Sequence, residues 1–205
     1  DAAAVWSGYV NTVIGLTRRH GKIPLIWADH LVKNADLARQ VRKDVVPVHW
    51  HYESEAAAEP VRRLQAAGFG EILLAPSLAC YRHRFGTAAG ALANTRAMVR
   101  VAAETGAAGV INTLWCPFRY FQGALWYGIA FSGALVAGRG ELAPAAFHTR
   151  FARQVLGLEL TPELAAFLDA YPRFGLDYQV TNKLYRNNFD MTPAEAAALG
   201  AVHDL

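Results

Sequence analysis

The chain repeats one pattern four times: a helical stretch is followed by a short, continuous apolar stretch. The apolar stretches read KIPLIW, DVVPVHW, EILLAPS and GVINTLW, and each is typical of a strand buried on both faces. Gly21, Gly68 and Gly106 each stand between a helical stretch and the next apolar one, where αβ loops favour glycine. Four consecutive αβ units predict an α/β fold with a parallel sheet, as in a (β/α) barrel or an open doubly wound sheet.

The two ends of the chain differ from this repeat. Val5 to Arg19 predicts a first helix, with Val5, Tyr9, Val13 and Leu16 at helical spacing. After the fourth apolar stretch comes a long apolar helix near Gln122 to Ala137, and then only helical material. We therefore expect two regions, an αβ region over residues 1–138 and a helical extension over 139–205. The last helix opens with a capping box, TPAE, and stops about three turns later, so the chain is expected to be a piece of a longer protein.

Composition excludes several classes of function. The net charge of +3 comes from scattered Lys and Arg without a basic run, so we expect no nucleic-acid partner. The stretch ALWYGIAFSGALVAG is too short for a membrane span and predicts a buried helix, so no membrane partner is expected. The two cysteines, Cys80 and Cys116, fit reduced thiols. The localisation stays open, and the cytoplasm is the favoured compartment.

The four predicted strands end in aromatic and polar residues. Their ends read IWADH, HWHYE, APSLACYRH and TLWCPFRY, so that three carry Trp and the fourth carries Tyr81. In parallel α/β folds functional groups collect at the carboxyl ends of strands, and the chain has only five Trp in total. Aromatic faces match the apolar face of a sugar ring, so the pattern favours carbohydrate binding over simple filling of space.

The stretch VHWHYE also permits a metal site. Alternation along a strand places His49 and His51 on one side and Trp50 and Tyr52 on the other. A metal needs three or more converging ligands, and GVINTLW does not end in an acid as the metal-dependent amidohydrolase pattern requires. An amidohydrolase-like enzyme is the less favoured alternative, and no metal is expected.

Other catalytic motifs are missing from the sequence. Ser77 lies in no G-x-S-x-G motif, and the two cysteines have no patterned His and Asn partners. The sequence contains neither G-x-G-x-x-G nor a phosphate-binding loop, so no nucleotide cofactor is expected.

The order of the strand-end motifs resembles a known family. W-x-D, W-x-Y, A-P-S with a later Tyr, and G-V-I-N-T-x-W follow one another as in the second half of the catalytic barrel of glycoside hydrolase family 20. Those enzymes are β-N-acetylhexosaminidases, and the resemblance is closer to the hexosaminidase D-like branch. It covers about Val5 to Ala137 and implies a partial (β/α)8 TIM barrel, strands 5 to 8, followed by a helical C-terminal extension.

The resemblance implies roles for individual residues. Trp27, Trp50 and Trp115 would line the pocket for an N-acetylated sugar, and Tyr52 would lie on the same wall. Asp29 would bond a sugar hydroxyl or a neighbouring side chain. Tyr81 resembles the tyrosine that positions the substrate acetamide.

The family's reaction is substrate-assisted and retaining. The acetamide oxygen attacks the anomeric carbon, a Glu protonates the leaving oxygen, and the preceding Asp orients the acetamide. That Asp-Glu pair belongs to the fourth strand, which would precede Asp1. The parent protein would then be a glycosidase acting on terminal N-acetylhexosamines of a glycan, whereas this chain lacks the general acid and needs the N-terminal half of the barrel as its partner.

Two positions depart from the family pattern. The Tyr-x-Asp expected after the seventh strand reads Tyr81-Arg82-His83, and Pro117 stands where an acid often follows the last Trp. Arg119 or His83 is the hypothetical substitute for those contacts to the sugar. The departures leave the gluco or galacto epimer open and favour, as the alternative, a non-catalytic carbohydrate-binding protein on the same fold.

Overall fold

The protein, seen here in a computed structural model, divides into two compact units. The structure describes residues 2–78, 89–115, 122–138 and 140–173, with 192–194 and 197 near the C terminus. The first unit comprises Asp1–His51, Glu55–Pro76 and Ala97–Ile111. The second comprises Tyr52–Ser54, Ser77–Arg96 and Asn112–Leu205.

Helices and strands alternate through the first part of the chain. In chain order they are α1 (Ala2–Arg19), β1 (Leu25–Trp27), α2 (Asp29–Lys33), α3 (Ala35–Gln40), β2 (Val46–Trp50), α4 (Glu59–Ala66), β3 (Leu73–Ala75), α5 (Ala89–Thr105) and β4 (Gly109–Val110). The later elements are a 3₁₀ turn (Gln122–Leu125), α6 (Trp126–Ala137), α7 (Pro144–Phe151), a π turn (Ala152–Leu156), α8 (Pro162–Ala170) and a 3₁₀ turn (Tyr171–Arg173).

The four strands form one parallel sheet in the order β1-β2-β3-β4, all within the first unit. The predicted α/β fold with a parallel sheet is therefore confirmed. Each strand pairs with the strand that follows it along the chain, and this order has no reversal among the four. A doubly wound sheet binds its ligand where the strand order reverses, so the four described strands contain no such point.

One face of this sheet is covered by helices. Ile26, Leu74 and Val110 belong to a core formed with side chains of α1 to α5, whose most deeply buried members include Val61, Leu64 and Met98. The register pairs Ile26 with Pro47, His49 with Leu74, and Leu74 with Val110, so each strand presents residues to this core. On the opposite face, Val46, Val48 and Ala75 are also buried, whereas Leu25 and Trp27 are exposed. The predicted burial on both faces therefore holds for these residues of β2 and β3 and not for β1.

Helix α1 confirms the predicted helix, but the apolar residues that revealed it are exposed. Val5, Tyr9, Val13 and Leu16 lie on the solvent side, whereas Ile14 is buried in the sheet core. Ala3, Trp6 and Val10 are partly buried against the same core. Helix α1 is therefore apolar on two sides, of which only one is covered within the first unit.

Three glycines end helical segments as the sequence predicts. Gly21, Gly68 and Gly106 have φ of 67°, 91° and 66° respectively. These values lie in the left-handed region, which a side chain with a Cβ disfavours. Each glycine lets the chain reverse from a helix into the next strand.

The second unit contains α6, α7 and α8, packed through aromatic side chains. The Tyr127 ring makes edge contacts with Phe147 and Phe151, each at 5.2 Å between centroids, and stacks on Phe131 at 6.4 Å. Helix α6 confirms the buried helix predicted from its sequence, with Tyr127, Phe131 and Leu135 in the interior. In the part of the chain that the structure describes, no helix has the length and apolar character needed to cross a membrane. The predicted last helix lies mostly outside the described residues.

Candidate functional site

Trp27 and Trp50 occupy the carboxyl ends of β1 and β2 in the first unit. The register pairs Trp27 with Val48, and Trp50 follows Val48 by two residues on the same strand, so all three lie on one face of the sheet. That face is opposite the helix core. Trp27 is 42% exposed and Trp50 is 40% exposed, so each offers part of its indole surface to a ligand.

His49 lies on the other face of the sheet, where its register partner Leu74 belongs to the helix core. Its surroundings lower the pKa of His49 to about 4, because burial disfavours the charged imidazolium and because His51 lies nearby. The His51 Nε2–H donates to the Glu55 carbonyl at 2.6 Å. The predicted separation of His49 from Trp50 is confirmed. Among the described residues no group of three His, Cys, Asp or Glu side chains is placed to hold a metal.

His49 gives the first unit a pH-dependent stability. Because the folded pKa is below the ordinary value of 6.5, the unfolded chain binds more protons between about pH 6.5 and 4. The contribution is complete above pH 6.5 and is lost as the pH falls through this window, with an upper limit of about 3 kcal/mol. We expect His49→Gln to flatten the dependence of unfolding free energy on pH, measured by urea denaturation from pH 4 to 7.5. His20→Gln, at an exposed position, is the control; equal slopes for the wild type and His49→Gln would contradict the assignment.

Asp29 begins α2 immediately after β1 and contacts a neighbouring side chain. Its Oδ2 lies 3.7 Å from His30 Nε2, and the His30 ring packs edge-on against Trp6 at 5.6 Å between centroids. The role expected for Asp29 stays a prediction.

Tyr52 and Trp115 are joined by a hydrogen bond in the second unit. The Trp115 Nε1–H donates to the Tyr52 hydroxyl, with 2.6 Å between nitrogen and oxygen. Tyr52 follows β2 and Trp115 follows β4, so the bond joins residues that are 63 positions apart in sequence. It fixes the indole while leaving Trp115 43% exposed.

Asn94 supports the chain beside this pair, and the sequence motifs did not identify it. It is fully buried in α5, its Oδ1 accepts from the Ser77 backbone N–H at 3.0 Å, and its Nδ2 donates to the Glu53 carbonyl at 2.5 Å. Ser77 in turn forms a parallel bridge with Thr113, two residues before Trp115. Asn94 therefore links the segments that carry Tyr52 and Trp115. The only sequence signal is the adjacent polar pair Asn94-Thr95 within an otherwise apolar helix face.

Comparison with known proteins identifies no relative: no family model, curated protein or solved structure matches the chain.

Several predicted site residues lie outside the described residues. They are Tyr81, Arg119, His83, Cys80 and Cys116. The roles expected for Tyr81 and Arg119 stay predictions. The described candidate residues form two separate groups: Trp27, Trp50 and Asp29 in the first unit, and the Tyr52–Trp115 pair in the second.

Proposed function

We propose that this chain is the C-terminal part of a retaining, substrate-assisted β-N-acetylhexosaminidase, folded as the last four strands of a (β/α)8 barrel. The observation that carries the proposal is the pair of exposed tryptophans at the carboxyl ends of β1 and β2, on the face opposite the helices. In a (β/α)8 barrel that face is the interior, and the carboxyl ends of the strands carry the active site. The consecutive order of four parallel strands supports a barrel segment.

The exposed indoles suit the apolar face of a hexosamine. Trp27 and Trp50 are about two-fifths exposed, and the ends of β1 and β2 fix their backbone positions. An aromatic side chain has few rotatable bonds, so it loses little conformational entropy when it binds a sugar ring. It can therefore select ligands by shape with a small entropic loss. The two residues are proposed to contact the sugar.

The Tyr52–Trp115 pair is proposed as a sugar-contacting group of the second unit. The hydrogen bond between the indole N–H and the phenol oxygen holds the two rings in a fixed relation. The exposed part of the Trp115 indole is proposed to pack against the sugar, and Tyr52 to keep it in place. Asn94 is proposed as a positioning residue that maintains this pair through its bonds to Ser77 and Glu53.

In the proposed reaction, this chain supplies substrate-binding groups, and the strand that precedes α1 supplies the catalytic carboxyl groups. The acetamide oxygen forms a bond to the anomeric carbon as the glycosidic bond breaks, and the leaving oxygen takes its proton from a Glu. Water then attacks the anomeric carbon from the face that the leaving oxygen occupied, the bond to the acetamide oxygen breaks, and the Glu takes a proton from the water, so that configuration is retained. The proposal places the Glu and its neighbouring Asp on the strand that precedes α1, and Tyr81 at the acetamide.

Exposed apolar surface in the first unit supports the N-terminal half of a barrel as the partner. Leu25 and Ile111 are exposed on the face that also carries Trp27. Residues two apart along a strand share a face, and Leu25 is two residues before Trp27. Ile111 is two residues after Gly109, whose register partner Leu73 lies on the same face. The outer side of α1 adds Val5, Tyr9, Val13 and Leu16. Four further βα units would cover this surface and pair the edge of β1.

The experiment that tests the function incubates the polypeptide that carries the proposed Asp-Glu strand with two nitrophenyl β-glycosides that differ only in the acetamide. Substrate assistance requires the acetamide oxygen, so the N-acetylglucosaminide should be hydrolysed and the glucoside should not. Saturable binding of N-acetylglucosamine without hydrolysis would favour the carbohydrate-binding alternative.

A further inference from the structure

A cavity of about 310 Å³ lies in the second unit, away from the Tyr52–Trp115 pair in sequence and in lining. The N-terminal part of α5 and helices α6, α7 and α8 contribute its walls. Its volume falls at the lower end of the range for small-molecule sites. The hexosaminidase proposal assigns no role to this cavity, and a ligand bound in it is independent of that proposal.

Aromatic rings form the apolar wall of the cavity. Phe147 meets Tyr127 edge-on at 5.2 Å and Phe131 edge-on at 5.6 Å between ring centroids. All three residues are 3–5% exposed, so packing holds the rings in place and only a small part of each ring reaches the cavity. A preformed apolar wall of this kind binds a small hydrocarbon or aromatic group.

Arg96 places a positive charge at the same cavity. Its guanidinium carbon lies 5.1 Å from the centroid of the Phe131 ring, in cation–π geometry. Within the described ranges no carboxylate lies within 4.0 Å of its nitrogens. A guanidinium fork held by an aromatic ring suits a carboxylate ligand.

Asp169 places a negative charge at the cavity, next to the His148 ring. The Tyr127 hydroxyl and His148 Nε2 share a hydrogen bond of 3.0 Å, and His148 Nδ1 lies 3.5 Å from Asp169 Oδ1. His148 is 4% exposed, while the Asp169 side chain is 64% exposed. Asp169 thus retains accessible oxygen surface for a cationic group after its contact with His148.

The Tyr127–His148–Asp169 chain is suited to binding and unsuited to proton transfer at neutral pH. Burial raises the pKa of Tyr127 to about 12, with Asp169 adding to the rise. Burial also lowers the pKa of His148 and outweighs the opposite effect of Asp169. The phenol therefore keeps its proton and the imidazole stays neutral, so both side chains act as fixed dipoles.

We propose that this cavity binds a free α-amino acid with an apolar side chain. The carboxylate pairs with Arg96, the ammonium group with Asp169, and the side chain packs against Phe131 and Phe147. A ligand with both charges satisfies the guanidinium and the carboxylate together, whereas a simple anion meets repulsion from Asp169. The aromatic wall selects apolar side chains over polar ones.

The test is titration calorimetry of the chain with L-phenylalanine and two analogues that each lack one charge. We expect L-phenylalanine to bind about tenfold more tightly than 3-phenylpropanoate, which lacks the ammonium group, and than phenethylamine, which lacks the carboxylate. Arg96→Met should weaken L-phenylalanine about tenfold and leave phenethylamine unchanged. Asp169→Asn should weaken L-phenylalanine and leave 3-phenylpropanoate unchanged or tighter.

The control variant is Arg100→Met, which removes an exposed arginine one turn further along α5. It should leave all three affinities unchanged, and circular dichroism should show equal helix content in every variant. The proposal is overturned if L-phenylalanine shows no saturable binding up to about 10 mM. It is equally overturned if phenethylamine binds as tightly as L-phenylalanine does. The same holds if Arg96→Lys and Arg96→Met both leave the affinity for L-phenylalanine unchanged.

Discussion

Replacing Trp115 with alanine should lower kcat/KM for a nitrophenyl N-acetyl-β-hexosaminide by roughly 10-fold to 100-fold. The change removes an indole surface that is 43% exposed, and it removes the donor of the hydrogen bond to Tyr52. Covering an aromatic face with the apolar face of a sugar contributes on the order of 1–3 kcal/mol, and each 1.4 kcal/mol is a factor of ten. The measurement is steady-state kinetics of the polypeptide that also carries the proposed Asp-Glu strand.

Two conservative variants separate stacking from the hydrogen bond. Trp115→Phe keeps an aromatic face and loses the N–H, whereas Tyr52→Phe keeps the ring and loses the acceptor. If the bond positions the pair, the double variant should cost little more than either single one, since both remove the same interaction. Trp126→Ala is the matched control, because Trp126 is 56% exposed on α6 and has no proposed contact with the sugar. A loss of activity in Trp126→Ala equal to that in Trp115→Ala would contradict the role given to Trp115.

Replacing Leu74 with alanine should destabilise the chain by about 3–4 kcal/mol, whereas Leu25→Ala should cost less than about 1 kcal/mol. Leu74 is fully buried in the helix core, and Leu25 is 50% exposed on the opposite face of the sheet. Removing three carbons from a packed core loses transfer free energy and leaves a cavity, whereas water fills the space at Leu25. Urea denaturation with linear extrapolation measures both values.

The same pair tests the proposed partner half. In a polypeptide that supplies the other four βα units, the cost of Leu25→Ala should rise to about 2 kcal/mol, because the barrel interior then covers that side chain. The cost of Leu74→Ala should stay the same. A cost at Leu25 that does not change when those units are present would contradict the half-barrel proposal.

The sequence predicts the sheet well because the strands are apolar on the helix side and, at Val46, Val48 and Ala75, buried on the opposite face as well. Continuous apolar runs locate β1 to β4, and alternation places His49 opposite Trp50, as the register confirms. The packing of α1 was not predictable, since Ala3, Trp6, Val10 and Ile14 form one apolar stripe, and Val5, Tyr9, Val13 and Leu16 form another. Both have helical spacing, and only tertiary contacts decide which is buried.

The candidate site is harder to predict from sequence because its contacts join distant segments. The strand-end motifs identify Tyr52 and Trp115, yet no local pattern predicts a hydrogen bond between residues on different loops. Asn94 is not identified from the sequence because asparagine within a helix usually faces water. Here its amide forms hydrogen bonds with two backbone groups in the interior. The cavity with Arg96 and Asp169 likewise depends on the packing of four helices.

A paired hydrolysis assay, with and without the substrate acetamide, decides whether the parent protein is a substrate-assisted hexosaminidase. The polypeptide carrying the proposed Asp-Glu strand is incubated with nitrophenyl N-acetyl-β-glucosaminide, the matching galactosaminide and the β-glucoside, and nitrophenol release is followed. We expect turnover of at least one N-acetyl substrate, no detectable turnover of the glucoside, and loss of turnover in Trp115→Ala. Equal hydrolysis of the glucoside, or hydrolysis of neither N-acetyl substrate, would contradict the proposed function.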